Sequence, residues 1–219
     1  MEKKISPSLM CCDFTSLGEQ LSLFEREKIE YLHVDVMDGV FVPNFTLGTD
    51  FVKQLKKNCS IPVDIHLMVE KPEEKLDWFC FGEGDIVSIH VESTKHLGRA
   101  IQKIKDRGAK CFVAINPATA IGTIEDVLPS IDGVLVMTVN PGFAGQKLVP
   151  YGIEKIKKVR EYLDAKNHQN IEIEVDGNVS FVNARLMSDA GANIFVAGTS
   201  SVFCGNLSEG ISKLRESIK

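Results

Sequence analysis

The fold of this chain can be predicted from one short stretch, Tyr31-Leu32-His33-Val34-Asp35-Val36, and from seven runs of the same kind. Short, largely apolar runs rich in β-branched residues are typical of strands that are buried on both faces of a sheet. Successive runs start 23 to 37 residues apart, which leaves room for one helix and two turns between neighbours. The eight runs are Ile5–Leu9, Tyr31–Val36, Pro62–Leu67, Ile86–Val91, Lys110–Ile115, Val134–Val139, Ile171–Val175 and Ile194–Ala197.

The segments between the runs carry helical patterns. Phe14–Lys28 and Ile153–Leu163 each repeat apolar residues along one face, as amphipathic helices do. Gly108 and Gly191 stand just before the fifth and eighth runs, where a helix commonly ends on glycine. Eight strand–helix units without a linker predict parallel strands and one α/β domain, a (β/α)8 TIM barrel over residues 1–219. The alternative, an open doubly wound sheet, is disfavoured because its dinucleotide-binding pattern GxGxxG is absent.

The composition narrows the functional class. Hydrophobic residues make up 44% and charged residues 25% of the 219 residues, as in a soluble globular protein. The net charge of −5 gives no reason to expect a nucleic acid or an anionic membrane as a partner. Residues 1–7 do not resemble a secretory signal, and the six cysteines show no CxxC spacing. We therefore expect reduced thiols and a cytoplasmic protein.

Polar residues interrupt the predicted strands near their carboxyl ends, where a parallel barrel gathers its active site. His33 and Asp35 are two residues apart and share one face of the second run. His66 lies at the end of the third run, and Asp176 follows the seventh. Two imidazoles and two carboxylates suit a divalent Zn, Fe, Co or Mn ion better than Ca²⁺ or Mg²⁺, so we predict one such ion here. The alternative is a hydrogen-bonded polar layer that closes the barrel core.

Three more polar residues accompany these strands. Glu172 and Glu174 alternate with Asp176, so each is interpreted either as a neighbour of the site or as exposed at the opposite end of the barrel. His90 lies at the end of the fourth run and is interpreted as part of the wall of the site or as a partner of a metal ligand.

Glycine-bearing turns follow the last three runs and indicate a phosphate-binding site. They are Asn140–Gln146, Gly177-Asn178 and Gly198–Ser201. Glycine lets the backbone turn its N–H groups toward an anion, and barrels commonly bind phosphate after the seventh and eighth strands.

A metal ion, two carboxylates on different strands and a phosphate site suit proton transfer on a phosphorylated ketose. The metal would stabilise the enediolate that forms when the proton beside the carbonyl is removed. Inversion of that carbon then needs a base and an acid on opposite faces, and Asp35 and Asp176 can fill these roles. Met37, Met68 and Met137, near the ends of three runs, are interpreted as a hydrophobic cover that keeps water out.

Several motifs together resemble the ribulose-phosphate 3-epimerase family, in order and along essentially the whole chain. They are Ile5-Ser6-Pro7-Ser8, His33-Val34-Asp35-Val36-Met37-Asp38-Gly39, Val42-Pro43-Asn44, His66-Leu67-Met68-Val69, Met137-Thr138-Val139-Asn140-Pro141-Gly142-Phe143-Ala144-Gly145-Gln146 and Glu174-Val175-Asp176-Gly177. The resemblance implies a metal-dependent ketose-phosphate 3-epimerase on a ribulose-phosphate-binding TIM barrel, assembled as a homo-oligomer.

The resemblance also implies roles for single residues. His33, Asp35, His66 and Asp176 would bind the metal, with Asp35 as the proton acceptor and Asp176 as the proton donor. The residues that would contact the substrate are Ser8, His66, Gly142, Phe143, Ala144, Gly145, Asp176, Gly177, Asn178, Gly198, Thr199 and Ser200.

Three departures from the usual ribulose-phosphate pattern bear on the substrate. Met10-Cys11-Cys12-Asp13 stands in place of Ser-Ala-Asp, Asp176-Gly177-Asn178 in place of Asp-Gly-Gly, and Gly142-Phe143-Ala144-Gly145 in place of Gly-Phe-Gly-Gly. The departures are similar to the D-allulose-6-phosphate 3-epimerases. They favour the pair D-allulose 6-phosphate and D-fructose 6-phosphate, with D-ribulose 5-phosphate and D-xylulose 5-phosphate as the alternative.

Two other functions remain as alternatives. A sugar-phosphate decarboxylase or aldolase on a similar barrel needs a lysine at a strand end, and none of the eight runs ends in one. A non-catalytic sugar-phosphate binding protein would not need both Asp35 and Asp176.

Overall fold

All eight predicted strands form, within two residues of their expected bounds, in the computed structural model, which describes residues 1–219. Strands β2 to β8 pair successively and in parallel, and β1 pairs with β8. A further parallel bridge between Ser8 and His33 joins the end of β1 to β2, which confirms the predicted barrel. The strands are β1 Lys4–Pro7, β2 Leu32–Met37, β3 Val63–Met68, β4 Ile86–His90, β5 Lys110–Ile115, β6 Gly133–Met137, β7 Glu172–Asp176 and β8 Ile194–Ala197.

Helices follow most of the strands. The predicted helix at Phe14–Lys28 is wrong at both ends: Phe14–Ser16 is a 3₁₀ turn, and Lys28 has a left-handed φ of 53° that a helix cannot continue through. Between β5 and β6 the chain forms only a 3₁₀ segment, Ile121–Ser130, which contains Pro129. The α-helices are α1 Leu17–Arg26, α2 Thr49–Asn58, α3 Pro72–Lys75, α4 Leu97–Lys105, α5 Gly152–Ala165, α6 Phe181–Asp189 and α7 Leu207–Ser217.

The main apolar core lies between the outer faces of the strands and the helices. The interior of the barrel is filled differently at its two ends. At the amino-terminal end Phe112 packs with Tyr31, Ile86 and Ile194. A Cβ at Gly133 would lie 2.3 Å from this phenylalanine ring, so glycine is needed there. Toward the carboxyl-terminal end the interior becomes polar, and the site is located there.

Ion pairs close the amino-terminal end of the barrel. Glu172 lies 2.5 Å from Lys4 Nζ and 3.4 Å from Lys110 Nζ. Glu172 therefore lies at the end of the barrel opposite the site, which was the second of its two interpretations. All six cysteines are free, as expected from their spacing. No helix has both the length and the apolar character that crossing a bilayer requires.

Candidate active site

Four side chains from three strands converge at the carboxyl-terminal mouth of the barrel. His33 and Asp35 come from β2, His66 from β3 and Asp176 from β7, so the predicted convergence is confirmed. Asp35 Oδ1 lies 3.3 Å from His33 Nε2 and 3.4 Å from His66 Nδ1. Asp176 Oδ2 lies 4.0 Å and 3.6 Å from the same two nitrogens. One ligand atom from each residue therefore faces a common point.

The donor set fits a divalent metal ion. His33 Nε2 and His66 Nδ1 are buried and have no hydrogen-bond partner, which is rare for polar atoms in a protein interior. Ligands about 2.0–2.2 Å from a tetrahedral ion are separated by about 3.3–3.6 Å, close to the spacings found here. The two nitrogens and two carboxylate oxygens also match the preference of Zn²⁺ and similar ions.

Neighbouring residues fix the orientation of Asp35. The Ser8 hydroxyl donates a 2.7 Å hydrogen bond to Asp35 Oδ2, which leaves Oδ1 free to face the histidines. The hydroxyl of Thr46 donates to the backbone carbonyl of Asp35 at 2.6 Å. Ser8 thus contributes to the site by orienting the carboxylate of Asp35.

The two aspartates have opposite pKa shifts. Burial alone would raise the pKa of Asp35, but the imidazoles of His33 and His66 hold it well below its usual value. Burial and the negative charge of Asp35 raise the pKa of Asp176 to about 6. One carboxylate is therefore ionised while the other holds a proton much closer to neutrality, and such a pair suits a base and an acid.

Behind His33 lies a buried polar group formed by Ser6, Asp64 and Glu174. His33 Nδ1 donates to Asp64 Oδ2 at 2.6 Å, and the Ser6 hydroxyl donates to the same oxygen at 2.9 Å. Burial alone would lower the pKa of His33, but Asp64 and Asp35 raise it well above its usual value. Burial and the charge of Asp64 raise the pKa of Glu174 strongly, so this carboxyl retains a proton. Glu174 is therefore a neighbour of the site, as one of its two interpretations held.

Behind His66 the predicted partner His90 is present. The ring nitrogens His66 Nε2 and His90 Nε2 lie 2.8 Å apart, and His90 Nδ1 lies 3.1 Å from Glu92 Oε2. Burial lowers the pKa of His90 to about 4, so this ring is neutral. Burial would raise the pKa of Glu92, but hydrogen bonds from His90 and Thr119 bring it to about 2.

A pocket of about 580 Å³ opens above the metal-ligand cluster. Asp35 and Asp176 lie on its wall, and the predicted methionines Met37, Met68 and Met137 line it beside them. All the predicted substrate contacts except His66 also line the pocket; His66 lies beneath it, with no exposed side-chain surface. Their roles toward a substrate stay predictions.

The loops after β6, β7 and β8 form the side of the pocket away from the histidines. Gly142, Gly145 and Gly177 have φ values of 119°, 79° and 120°, which side chains rarely adopt. A Cβ at Gly177 would also lie 2.8 Å from the backbone nitrogen of Val139. The N–H groups of Gly145, Gly198 and Ser200 donate to no acceptor within the protein, as a phosphate-binding loop requires.

Asn178 links these loops to one another. Its amide nitrogen donates to the backbone carbonyl of Gln146 at 2.8 Å and to the Ser200 hydroxyl at 3.4 Å. The amide of Asn183 donates to Asn178 Oδ1 at 2.7 Å and thereby fixes which atom of Asn178 faces each loop. The residue has a left-handed φ of 51°, a conformation that asparagine tolerates better than most residues.

Some functional neighbours were missed from the sequence. Asp64 stands two residues before His66, and this period-2 spacing on one strand was the available signal. Val179 and Val196 also line the pocket, and no pattern distinguishes them from ordinary core residues. Glu92 belongs to no sequence motif, and its contact with His90 depends on the tertiary fold.

Comparisons with known proteins agree with this geometry. A model described as the ribulose-phosphate 3 epimerase family matches residues 4–203. The chain is 41% identical to the ribulose-phosphate 3-epimerase of Bacillus subtilis over 214 residues, covering 98% of this chain and 99% of that protein. It is 42% identical to the chloroplastic ribulose-5-phosphate-3-epimerase of Arabidopsis thaliana, covering 97% of this chain and 76% of that protein.

More distant solved structures share the fold alone. The crystal structure of KGPDC from Streptococcus mutans has a TM-score of 0.66 at 11% identity, covering 100% of this chain and 98% of that one. Orotidine 5'-phosphate decarboxylase from Pyrococcus horikoshii has a TM-score of 0.64 at 14% identity, covering 98% of both chains.

Proposed function

The chain belongs to the ribulose-phosphate 3-epimerase family and is an isomerase of sugar phosphates, and from this premise we propose that it interconverts D-ribulose 5-phosphate and D-xylulose 5-phosphate. In this proposal residues 1–219 act as one catalytic domain. The observation that supports the reaction type most directly is the pair Asp35 and Asp176, two carboxylates on one pocket whose pKa values are shifted in opposite directions.

The two aspartates divide the proton transfer between them. Asp35, ionised at neutral pH, accepts the proton from C3 of the ketose. Asp176, with a pKa of about 6, donates a proton to the other face of the same carbon, which inverts it. In the reverse direction the two residues exchange roles. The Ser8 hydroxyl holds the second oxygen of Asp35, so that the basic oxygen is presented in one orientation.

The proposed metal site comprises His33, Asp35, His66 and Asp176. A divalent Zn, Fe, Co or Mn ion at this site would supply a Lewis acid for the carbonyl and the neighbouring hydroxyl of the substrate.

The rest of the pocket holds the substrate and excludes water. We assign the phosphate to the loops around Gly145, Gly177 and Gly198, where unpaired backbone N–H groups are available. Met37, Met68 and Met137 surround the reacting end with apolar side chains, which lowers the access of water to the carbon that loses its proton.

A second candidate substrate pair is D-allulose 6-phosphate and D-fructose 6-phosphate. It is favoured by Ala144 and Asn178, which depart from the usual ribulose-phosphate pattern on the phosphate side of the pocket. The relatives described above carry the ribulose-phosphate name, so the six-carbon preference rests on the three sequence departures alone.

One experiment tests both the reaction and the substrate. The purified enzyme is incubated in deuterated water with each ketose phosphate, and exchange at C3 is followed by NMR together with kcat/KM for epimerisation. We expect exchange with both substrates, a higher kcat/KM for D-ribulose 5-phosphate, and loss of activity after chelation. A higher kcat/KM for D-allulose 6-phosphate would select the second candidate, and no exchange with either would refute the epimerase.

The predicted homo-oligomer and cytoplasmic location stay proposals. Large apolar side chains such as Val40 and Phe45, which are 73% and 78% exposed on the loop after β2, offer surface that a second copy could cover. Sedimentation velocity of the metal-loaded protein measures the assembly state.

A further inference from the structure

A row of hydrogen-bonding groups leads from the proposed metal site to the protein surface. It begins at His66, continues through His90 and ends at Glu92. The side chains of both histidines have no solvent-exposed surface, whereas that of Glu92 is 25% exposed. Glu92 does not line the pocket, so it cannot touch a substrate there.

The positions of the protons along this row follow from the chemistry of its members. An ionised carboxylate only accepts hydrogen bonds, so His90 Nδ1 must carry the proton toward Glu92. A neutral imidazole has one N–H, so His90 Nε2 is then bare and acts as an acceptor. The 2.8 Å contact therefore places a proton on His66 Nε2, and in the neutral ring this leaves His66 Nδ1 bare. That bare nitrogen is the atom that faces Asp35 and Asp176.

The carboxylate of Glu92 is itself held in place. The backbone N–H of Asn116 donates to Glu92 Oε1 at 2.8 Å, and the Thr119 hydroxyl donates to the same oxygen. Only Oε2 is left for His90. A backbone N–H can only donate, so the atom facing Asn116 must be an acceptor.

We propose that Glu92 is a positioning residue that acts through His90 to keep His66 in the tautomer whose Nδ1 can bind a metal ion. The proposal rests on the metal site of the proposed function. It also explains why the two histidines of that site present different nitrogens: His33 gives its Nδ1 proton to Asp64 and presents Nε2, whereas His66 is held through Nε2 and presents Nδ1.

The isosteric substitution Glu92→Gln is the sharpest test. Its amide oxygen must face the N–H of Asn116, which directs the amide NH₂ toward His90 Nδ1. His90 must then accept at Nδ1, carry its proton on Nε2 and donate to His66. The proton of His66 moves to Nδ1, the atom that should bind the metal. Loss of a partner that orients a metal ligand typically weakens binding by about 10- to 100-fold.

Two measurements on the full-length protein report on this change. Nitrogen-15 NMR of the metal-free protein identifies the tautomer of His66, and a Co²⁺ titration followed by visible absorption gives the metal affinity. We expect E92Q to move the His66 proton to Nδ1 and to weaken Co²⁺ binding by about 10-fold or more. The charge control is E125Q, which removes a surface carboxylate that contacts Tyr162 and Lys166, and it should bind Co²⁺ as the wild type does.

A second variant separates the tautomer from a general structural effect. In H90Q/E92Q the glutamine at position 90 can turn its amide oxygen to His66 Nε2 whatever residue 92 offers. We expect this double variant to regain most of the affinity lost in E92Q. The proposal is overturned if E92Q leaves the His66 tautomer or the Co²⁺ affinity unchanged, or if the double variant binds as weakly as E92Q. Failure of wild-type protein to bind Co²⁺ would refute the metal site itself, and the NMR result would still decide the tautomer.

Discussion

Lowering the pH from 7 to 5 should weaken binding of a divalent metal ion by more than about tenfold, because protonated ligands must lose a proton before they can bind it. The pKa of Asp176 is about 6 in the metal-free protein. Its ionised fraction then falls from about 0.9 at pH 7 to about 0.09 at pH 5, a loss of about tenfold in affinity. His33 has a pKa well above its usual value, so it holds its proton to higher pH than a free imidazole does. Release of this proton is a second requirement for binding and adds to the loss.

The sign of the effect follows from competition between protons and metal. Affinity rises with pH, and it rises more steeply below pH 6, where Asp176 is protonated as well as His33. Asp35 contributes no slope here, because its pKa is held well below its usual value.

The assay is a competition titration of Zn²⁺ between the metal-free protein and a chromophoric chelator, with the pH dependence of the chelator measured separately. The control is Asp176→Asn, which cannot take up the second proton and should lose about tenfold less affinity between pH 7 and pH 5 than the wild type does. A wild-type change of less than tenfold, or equal slopes in the two proteins, would refute the assigned proton states.

Three further predictions concern catalysis, backbone conformation and stability. Asp35→Asn and Asp176→Asn should each lower kcat by at least about a hundredfold, because each removes one proton-transfer group; deuterium exchange at C3 measures this, and near-normal turnover in either variant contradicts its role. Gly177→Ala should raise KM and cost about 1–3 kcal/mol of stability, because φ is 120° and the new Cβ would meet Val139; an unchanged melting temperature would show that the loop adapts. Burial and a neighbouring carboxylate raise the pKa of Glu174, so its contribution to stability is complete below its unfolded pKa and is lost as pH rises through its folded pKa. Urea unfolding of the metal-free protein should therefore show Glu174→Gln gaining on the wild type as pH rises, whereas parallel pH profiles would count against a protonated Glu174.

Most strands were predictable because burial on both faces leaves a largely apolar run, although polar residues alternate through β2 and β7. Helix bounds were less predictable. The segment Ile121–Ser130 has an apolar pattern, yet Pro129 and local turns leave it a 3₁₀ segment, and sequence periodicity does not separate the two. The end of α1 depended on the left-handed backbone of Lys28, which residue type alone does not indicate.

The site was predictable where function follows from position along a strand. His33 and Asp35 share a face, and the parallel topology brings β3 and β7 to the same mouth of the barrel. The distance of each polar side chain from the pocket was harder to predict. Glu174 and Asp176 follow the same alternation, but Glu174 lies one layer lower, behind His33, where it retains a proton instead of facing the pocket. The preference for a five- or six-carbon sugar depends on the distance between the metal site and the loops, which motifs do not measure.

The closure of the barrel makes the site depend on both ends of the chain. Ser8, which orients Asp35, sits at the only bridge between β1 and β2, and β1 is otherwise held by β8. Residues 4–7 can therefore pair fully into the sheet only when residues 194–197 are present. A chain truncated before β8 would therefore lose the pairing that holds β1 and, with it, the position of Ser8 beside Asp35.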